Sequence, residues 1–155
     1  MRKSVPYIVI AAAVAAVSII GGMLTDSGMA WYRTLNLPAF TPPGSVIGMV
    51  WTGIFIMSAI AVMLIWRARA AYSNLPLIIW LLVANGFLNV MWSWVFFVRH
   101  ELGWAIVEMT VLNLTNLALI ILSWHRQRVA ALLFVPYFVW VCFATGLAVA
   151  IWRLN

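Results

Sequence analysis

The chain has 155 residues, of which 66% are hydrophobic and 8% charged, and its mean hydropathy is +1.08. Soluble domains carry roughly 25% charged residues, so this composition excludes a water-soluble fold, which needs a charged surface. The net charge of +6 does not predict nucleic-acid binding, because the nine Lys and Arg residues are scattered between apolar runs rather than clustered.

Five apolar segments follow one another, separated by polar breaks. Each has about 20 residues or more, which is enough for a helix to cross a hydrocarbon core of about 30 Å. None alternates in polarity as a membrane β-strand does. The sequence therefore predicts an all-α integral membrane protein, a single domain over residues 1–155, with five transmembrane helices at residues 5–25, 44–66, 75–98, 102–124 and 129–152.

The first segment has an alternative interpretation as a secretion signal, because it follows Arg2 and Lys3. The apolar region of a signal has roughly 7–15 residues, and this segment is longer. A retained helix is therefore favoured.

The first connection, residues 26–43, is the longest break, and proline interrupts it at Pro38 and again at Pro42. Loops of this length are usually functional or disordered. Trp31, Leu35 and Phe40 make it too apolar for a solvated tether. We expect it to fold back as a lid loop that caps a ligand pocket at the outer end of the bundle.

Basic residues predict the orientation. The side of the amino terminus carries Arg2, Lys3, Arg67, Arg69, Arg126 and Arg128, whereas the opposite side carries Arg33, Arg99 and Arg153. The cytoplasmic side of a membrane protein has the excess of Lys and Arg. The amino terminus is therefore predicted to be cytoplasmic.

Ten tryptophans occur in the chain, and those near helix ends fit the aromatic belts of membrane proteins: Trp66, Trp80, Trp104, Trp124 and Trp152. Trp51, Trp92, Trp94 and Trp140 lie deeper, Trp140 by about 18 Å at 1.5 Å per residue. Lipid offers no acceptor to an indole N–H. These deeper rings are predicted to face the bundle interior, either as packing or as walls of a cavity for a flat apolar ligand such as a tetrapyrrole or sterol.

Polar side chains also occur inside the predicted spans. Asn85 and Asn89 share one face of the third helix, and Glu108, Asn113 and Asn116 lie in the fourth. For the asparagines, interhelical hydrogen bonds are favoured over ligand contacts. A carboxylate at depth is costly unless it is paired, protonated or wet, so a wet outer cavity is expected to solvate Glu108.

Three motifs in order resemble one family. Residues 31–44 read WYRTLNLPAFTPPG, similar to WYxxLxxPxxxPP. The third helix carries Asn85, Asn89, Trp92 and Ser93 in an NxxxNxxWS pattern. The fifth follows PYxxWxxxAxxLN from Pro136 as far as Leu147, where Ala148 replaces the final Asn. Together they cover essentially the whole chain, which resembles a bacterial-type member of the TspO/MBR family (translocator protein, tryptophan-rich sensory protein, peripheral-type benzodiazepine receptor).

The resemblance implies a five-helix bundle, commonly a homodimer, that binds porphyrins, with isoquinoline and benzodiazepine-type drugs and sterols as further ligands. It implies no cofactor. The matching ligand-binding positions are Tyr32, Pro42, Ile47, Trp51, Phe55, Asn89, Trp92, Ser93, Glu108, Trp140, Ala144 and Leu147. Trp51 and Trp140 match two tryptophans linked in bacterial relatives to light-dependent porphyrin breakdown. Val149 replaces the tyrosine of the animal members' cholesterol-associated pattern, so sterol binding at that position is not predicted.

The function classes that remain are a porphyrin receptor or sensor, a light-dependent porphyrin-degrading enzyme that uses Trp51 and Trp140, and a tetrapyrrole or sterol transporter. No hydrolytic triad, metal-ligand cluster or phosphate-binding loop is present in the sequence. Receptor function ranks first, and transport ranks last because no inverted repeat is visible. Gly44 and Gly48 form a small-xxx-small motif that predicts either dimer contact or close packing within one chain.

Overall fold

The computed structural model describes residues 4–155. Its five long helices are, in chain order, α1 (Val5–Tyr32), α2 (Gly44–Arg67), α3 (Leu75–Ser93), α4 (Leu102–Trp124) and α5 (Arg128–Leu154). A π-helical turn at Trp94–Val98 continues α3, and a 3₁₀ turn at Arg69–Ala71 precedes it. The five helical segments are long and apolar enough to cross a membrane. The predicted fold class is therefore confirmed.

The helices form a closed ring in which each packs mainly on two neighbours, in the order α1, α2, α5, α4, α3 and back to α1. Ile54, Ile78, Leu119, Phe134 and Val141 are fully buried where α2 to α5 meet. The outside of the ring is apolar as well, which is expected where lipid is the solvent. Trp80 and Trp104, for example, expose 73% and 68% of their surface.

The first helix is longer than predicted. It continues to Tyr32 rather than ending near residue 25, so the connection to α2 is residues 33–43. The hydropathy falls at Asp26, but the neighbouring hydroxyl groups form hydrogen bonds with carbonyl groups of the helix itself, so the helix continues. Thr25 Oγ1 donates to the carbonyl of Gly21 at 2.9 Å, and Ser27 Oγ donates to that of Leu24 at 2.7 Å. The drop in hydropathy therefore does not mark the end of this helix.

The extra turns of α1 pack against the π-helical turn. Gly28 is buried there, and a Cβ at this position would lie 2.6 Å from the Cβ of Phe97 and collide with the Phe97 carbonyl group. Small residues allow such close approach between membrane helices. The segment ends at His100, which has a left-handed φ of 57° and stacks on Trp31 with ring centroids 3.9 Å apart.

The connection between α1 and α2 is fixed to the end of α5. The backbone N–H of Asn36 donates to Asn155 Oδ1 at 3.0 Å, and Asn155 Nδ2 donates back to the Asn36 carbonyl at 3.1 Å. Phe40 contacts Phe143 edge to face, with centroids 6.4 Å apart. The connection therefore crosses the end of the bundle where α1 and α5 terminate.

Candidate ligand cavity

A cavity of about 580 Å³ opens at the same end of the bundle. We call it the main cavity. Its walls come from α1, α2, α5, and α3 with its π-helical turn, and none of its lining residues belongs to α4. Small-molecule sites typically measure about 300–1,000 Å³, so the main cavity is large enough for a drug-sized ligand.

Aromatic rings build one side of the main cavity. The Trp51 ring stacks on Phe55 at 5.7 Å and on Trp92 at 6.5 Å between centroids, and Trp92 lies 5.5 Å from Phe96. Trp140 contributes from α5, with the Phe143 ring 5.4 Å away. Trp51 and Trp140 therefore share one chamber, as the aromatic-walled cavity interpretation requires. Such walls suit a flat apolar molecule.

Two indole N–H groups in this wall have no acceptor. Nε1 of Trp92 and Nε1 of Trp140 are buried, and neither has a hydrogen-bond partner among residues 4–155. Since these atoms are enclosed by protein, the rings present carbon atoms to the cavity. An unsatisfied buried donor costs about 1–3 kcal/mol. These indole N–H groups therefore do not hold the rings in place, and the packing of the ring carbons does.

A few polar atoms break the apolar lining. Asn89 Nδ2 donates to the hydroxyl of Tyr137 at 2.7 Å, which fixes the Asn89 side chain at the floor. Ser93 lines the same wall one helical turn further out, and Asp26 and Arg33 lie on α1 and its end. Arg33 is the only cationic side chain among the described lining residues.

The predicted ligand-binding residues largely converge. The main cavity is lined by Tyr32, Ile47, Trp51, Phe55, Asn89, Trp92, Ser93, Trp140, Ala144 and Leu147. They come from four different helices, α1, α2, α3 and α5. Their convergence is a property of the tertiary structure, while direct ligand contact by each of them stays a prediction.

Pro42 and Glu108 do not line the main cavity. Pro42 lies just before Pro43, whose carbonyl group accepts from the N–H groups of Val46 and Ile47 and so begins α2. Glu108 is on α4, outside the cavity wall, and its two buried carboxylate oxygens have no hydrogen-bond partner in the part of the chain that the structure describes. The expectation that a wet outer cavity solvates Glu108 is wrong.

Trp94 also differs from its prediction. Its ring is 40% exposed, and the guanidinium of Arg99 lies 5.6 Å above it. The π-helical turn directs Phe96 and Phe97 inward instead, at 3% and 7% exposure. Trp94 therefore belongs with the interfacial tryptophans.

The other asparagines behave as interhelical links, as predicted. Asn85 Nδ2 donates to Thr115 Oγ1 and to Asn116 Oδ1, both at 2.8 Å, and this joins α3 to α4. Asn113 Nδ2 contacts Cys142 Sγ at 3.0 Å and so joins α4 to α5. These groups satisfy one another within the bundle and do not reach the main cavity.

Sequence reasoning missed the contribution of α1 apart from Tyr32 at its end. Lining residues recur on it every three or four positions, namely Ser18, Gly21, Gly22, Thr25, Asp26, Met29, Tyr32 and Arg33. Small and polar residues at helical spacing in an otherwise apolar helix were the signal that could have revealed this face. Within residues 4–155 no three His, Cys, Asp or Glu side chains are grouped to hold a metal ion.

The fold and the cavity define a polytopic membrane protein with an aromatic-walled cavity inside a five-helix ring. The sequence model of the TspO/MBR family matches residues 9–153. The chain is 34% identical over 137 residues to the tryptophan-rich protein TspO of Bacillus cereus, which covers 88% of both chains. It is 30% identical to protein CrtK of Rhodobacter capsulatus, covering 81% of this chain and 79% of that one. To the human translocator protein it is 28% identical, covering 83% and 76%.

This chain therefore belongs to the TspO/MBR family and is an integral membrane protein.

Proposed function

We propose that this protein is a membrane receptor or sensor that binds porphyrin-type tetrapyrroles and related flat apolar ligands in the main cavity, without chemical turnover. The observation that carries the proposal is the set of indole and phenyl rings from separate helices, Trp51, Trp92, Trp140 and Phe55, around one chamber of about 580 Å³. Aromatic faces pack against a flat conjugated ring with little loss of side-chain entropy.

The polar groups of the cavity support the same ligand class. Arg33 lies among the lining residues where α1 ends. A guanidinium binds a carboxylate through charge-assisted hydrogen bonds, and protoporphyrin carries two carboxylate arms on an apolar ring. The aromatic wall and the guanidinium of Arg33 match this division of the ligand, and the carboxylate of Asp26 also lies in the lining.

Saturable quenching of tryptophan fluorescence by protoporphyrin in detergent tests the proposal. We expect Trp51→Ala to weaken binding by tenfold or more, because the loss of a buried aromatic contact costs about 1–3 kcal/mol. Trp80→Ala is the matched control, since Trp80 is 73% exposed to lipid. Unchanged affinity in a Trp51→Ala protein that remains folded would contradict the proposal that porphyrin binds in the main cavity.

An enzymatic alternative draws on Trp51 and Trp140 in the same chamber. In it, the photoexcited porphyrin takes one electron from an indole, so that the porphyrin becomes a radical anion and the indole a radical cation. Illumination of the complex while the Soret band is followed separates the two functions. If Trp51→Phe and Trp140→Phe bleach as fast as the parent protein, the alternative fails and receptor function remains.

We also propose that the amino terminus is cytoplasmic. Among described residues, Arg67, Arg69, Arg126 and Arg128 support this, and Arg2 and Lys3 lie outside the described residues. In a Cys142→Ser background, an impermeant maleimide added to intact bacterial cells should label Thr34→Cys and spare Ser73→Cys. The reverse pattern would contradict the orientation.

We further propose a homodimer, as the resemblance to the family implies. The small-xxx-small motif of Gly44 and Gly48 does not by itself support a dimer contact, because it has a competing explanation within one chain. Both glycines line the main cavity, and a Cβ on either would meet nothing within 4 Å. They leave room inside the monomer. Light scattering of the purified protein in detergent should give twice the 17.4 kDa chain mass, and a monomer mass would overturn the proposal.

A further inference from the structure

Four exposed arginines lie at the end of the bundle opposite the opening of the main cavity, where α2 and α4 end. Arg67 is the last residue of α2, and Arg69 begins the 3₁₀ turn that follows. Arg126 lies in the turn after α4, and Arg128 begins α5. All four side chains are exposed. We call these four residues the arginine cluster.

The arginine cluster has no acidic counterpart. The chain contains three acidic residues, Asp26, Glu101 and Glu108, and the structure describes all of them. Asp26 lies near the end of α1, Glu101 directly precedes α4, and Glu108 lies in the second turn of α4. All three are therefore nearer the end where the main cavity opens. A group of cations without acids of its own attracts an external anion.

The buried side chain of Tyr72 brings the two connections that carry the arginines together. Tyr72 lies between α2 and α3, is 5% exposed, and belongs to the buried cluster that includes Leu119 of α4 and Ala130 of α5. Burial raises the pKa of the Tyr72 phenol, and the positive charge of Arg126 acts in the opposite direction. Arg126 is therefore close to the connection that carries Arg69.

Two of the guanidinium groups are held against tryptophan rings. The guanidinium of Arg69 lies 5.0 Å from the centroid of the Trp66 ring, and Arg69 Nη1 donates to the Trp66 carbonyl at 3.0 Å. The guanidinium of Arg128 lies 4.9 Å from the centroid of Trp124. Tryptophan favours the depth of the lipid headgroups, so these cations lie at the depth of the phosphates. Leu132, one helical turn from Arg128, exposes 50% of its surface to lipid.

We infer that the arginine cluster binds an anionic phospholipid with two phosphate groups. The chain supplies two pairs of guanidinium groups, one pair from each connection, and a guanidinium binds a phosphate through paired charge-assisted hydrogen bonds. The acyl chains of the lipid pack on the exposed apolar surface of α5 that begins at Leu132. A phospholipid with a single phosphate leaves one pair of arginines without a partner. Basic groups at the membrane ends of helices bind lipid headgroups of this type.

Native mass spectrometry of the protein in a neutral detergent tests the inference, with cardiolipin and phosphatidylglycerol as the probes. We expect one cardiolipin to bind saturably to each chain. Its affinity should exceed that of phosphatidylglycerol by about tenfold at equal phosphate concentration, because the second phosphate engages the second pair of arginines. Equal affinity for the two lipids would overturn the inference, since it would show that the arginines respond only to negative charge.

Two double variants locate the site. Arg67→Gln combined with Arg126→Gln removes one cation from each connection and should weaken cardiolipin binding by about tenfold. Arg99→Gln combined with Arg153→Gln removes the same charge from exposed positions at the opposite end and should bind cardiolipin as the parent protein does. Elution in size-exclusion chromatography shows whether each variant remains folded.

Equal losses in the two double variants would place the lipid outside the arginine cluster and overturn the inference. Displacement of cardiolipin by inorganic phosphate would overturn it as well, because the site would then bind a free phosphate and not a lipid. No tetrapyrrole enters the assay, and none of the four arginines lines the main cavity, so a negative result leaves the receptor proposal standing.

Discussion

Arg33 supplies the one cationic side chain among the described residues that line the main cavity. The rings of Trp51, Trp92 and Trp140 provide apolar surface that any flat ligand can use, whereas a cationic side chain selects ligands with a negative group. The affinity for porphyrins should therefore divide into a stacking part, shared by all tetrapyrroles, and an electrostatic part that depends on the carboxylates.

Arg33→Gln should weaken protoporphyrin binding by about three- to tenfold, because one charge-assisted hydrogen bond contributes about 1 kcal/mol at a partly exposed site. Binding of octaethylporphyrin, which has no carboxylate, should not change. Quenching titrations with both ligands measure the difference.

Arg99→Gln is the matched control for this prediction. Arg99 contacts Trp94 and does not line the main cavity, although both arginines lie at the same end of the bundle. Equal losses for the two arginine variants would show that Arg33 acts only through the overall charge. Equal losses for the two porphyrins would show that Arg33 does not bind the carboxylates.

At the scale of elements, the volume of the main cavity depends on a position of α2 that carries no side chain. Gly48 lines the cavity, and a Cβ there would meet no atom within 4 Å. Gly53, on the same helix, also has free space around it but lies outside the lining. Substitutions at the two positions therefore distinguish the effect of filling the main cavity from the effect of replacing a glycine of α2.

Gly48→Leu should fill part of the main cavity and reduce porphyrin affinity by at least tenfold, while Gly53→Leu should bind normally. Both should retain the thermal unfolding temperature of the parent protein, because a Cβ at either position meets no atom within 4 Å and the rest of the side chain starts in open space. Affinity that is insensitive to Gly48→Leu would place the ligand elsewhere.

The packing of α1 on the π-helical turn gives the opposite case, a glycine without free space. Gly28→Ala forces a methyl group onto the Phe97 backbone and should lower the free energy of unfolding by about 1–3 kcal/mol. Denaturation in a titration with sodium dodecyl sulfate measures it. Gly22→Ala on the same helix has open space and should be neutral or slightly stabilising, because alanine favours a helix more than glycine does. A similar loss there would show that the cost of Gly28→Ala does not come from the contact with Phe97.

At the scale of the whole molecule, the ring closes through contacts between distant parts of the chain. Asn36 and Asn155, which are 119 positions apart, exchange two hydrogen bonds at the end of the bundle where the main cavity opens. These bonds hold the connection of residues 33–43 against α5.

Asn155→Ala should release this connection, because it removes both bonds and leaves the backbone groups of Asn36 unpaired within the protein. Hydrogen exchange followed by mass spectrometry should show faster exchange over residues 34–41 and no change in α2 or α4. Asn74→Ala is a suitable control, since the Asn74 side chain makes no capping hydrogen bond. Unchanged exchange over residues 34–41 would mean that Phe40 and the prolines are sufficient to hold the segment.

The sequence alone determined that lipid is the solvent and that the fold is a bundle of membrane helices. It also located four of the five helical segments to within about two residues, which is the usual uncertainty of helix ends. The length and hydropathy of a segment are summed along the chain, so they need no knowledge of its neighbours. Ten of the twelve positions named from the family resemblance likewise line the main cavity, because most of them lie in or beside motifs that are local strings.

Only the tertiary structure decided which side of each helix faces inward. The helices are apolar all round, so hydropathy carries little directional information. The contribution of α1, the exclusion of Glu108 together with α4, the outward turn of Trp94 and the proximity of Arg126 to Tyr72 all depend on how neighbouring helices are rotated and spaced. Those rotations are set by close packing between side chains, as where Gly28 meets Phe97, and this information is distributed over pairs of residues far apart in the chain.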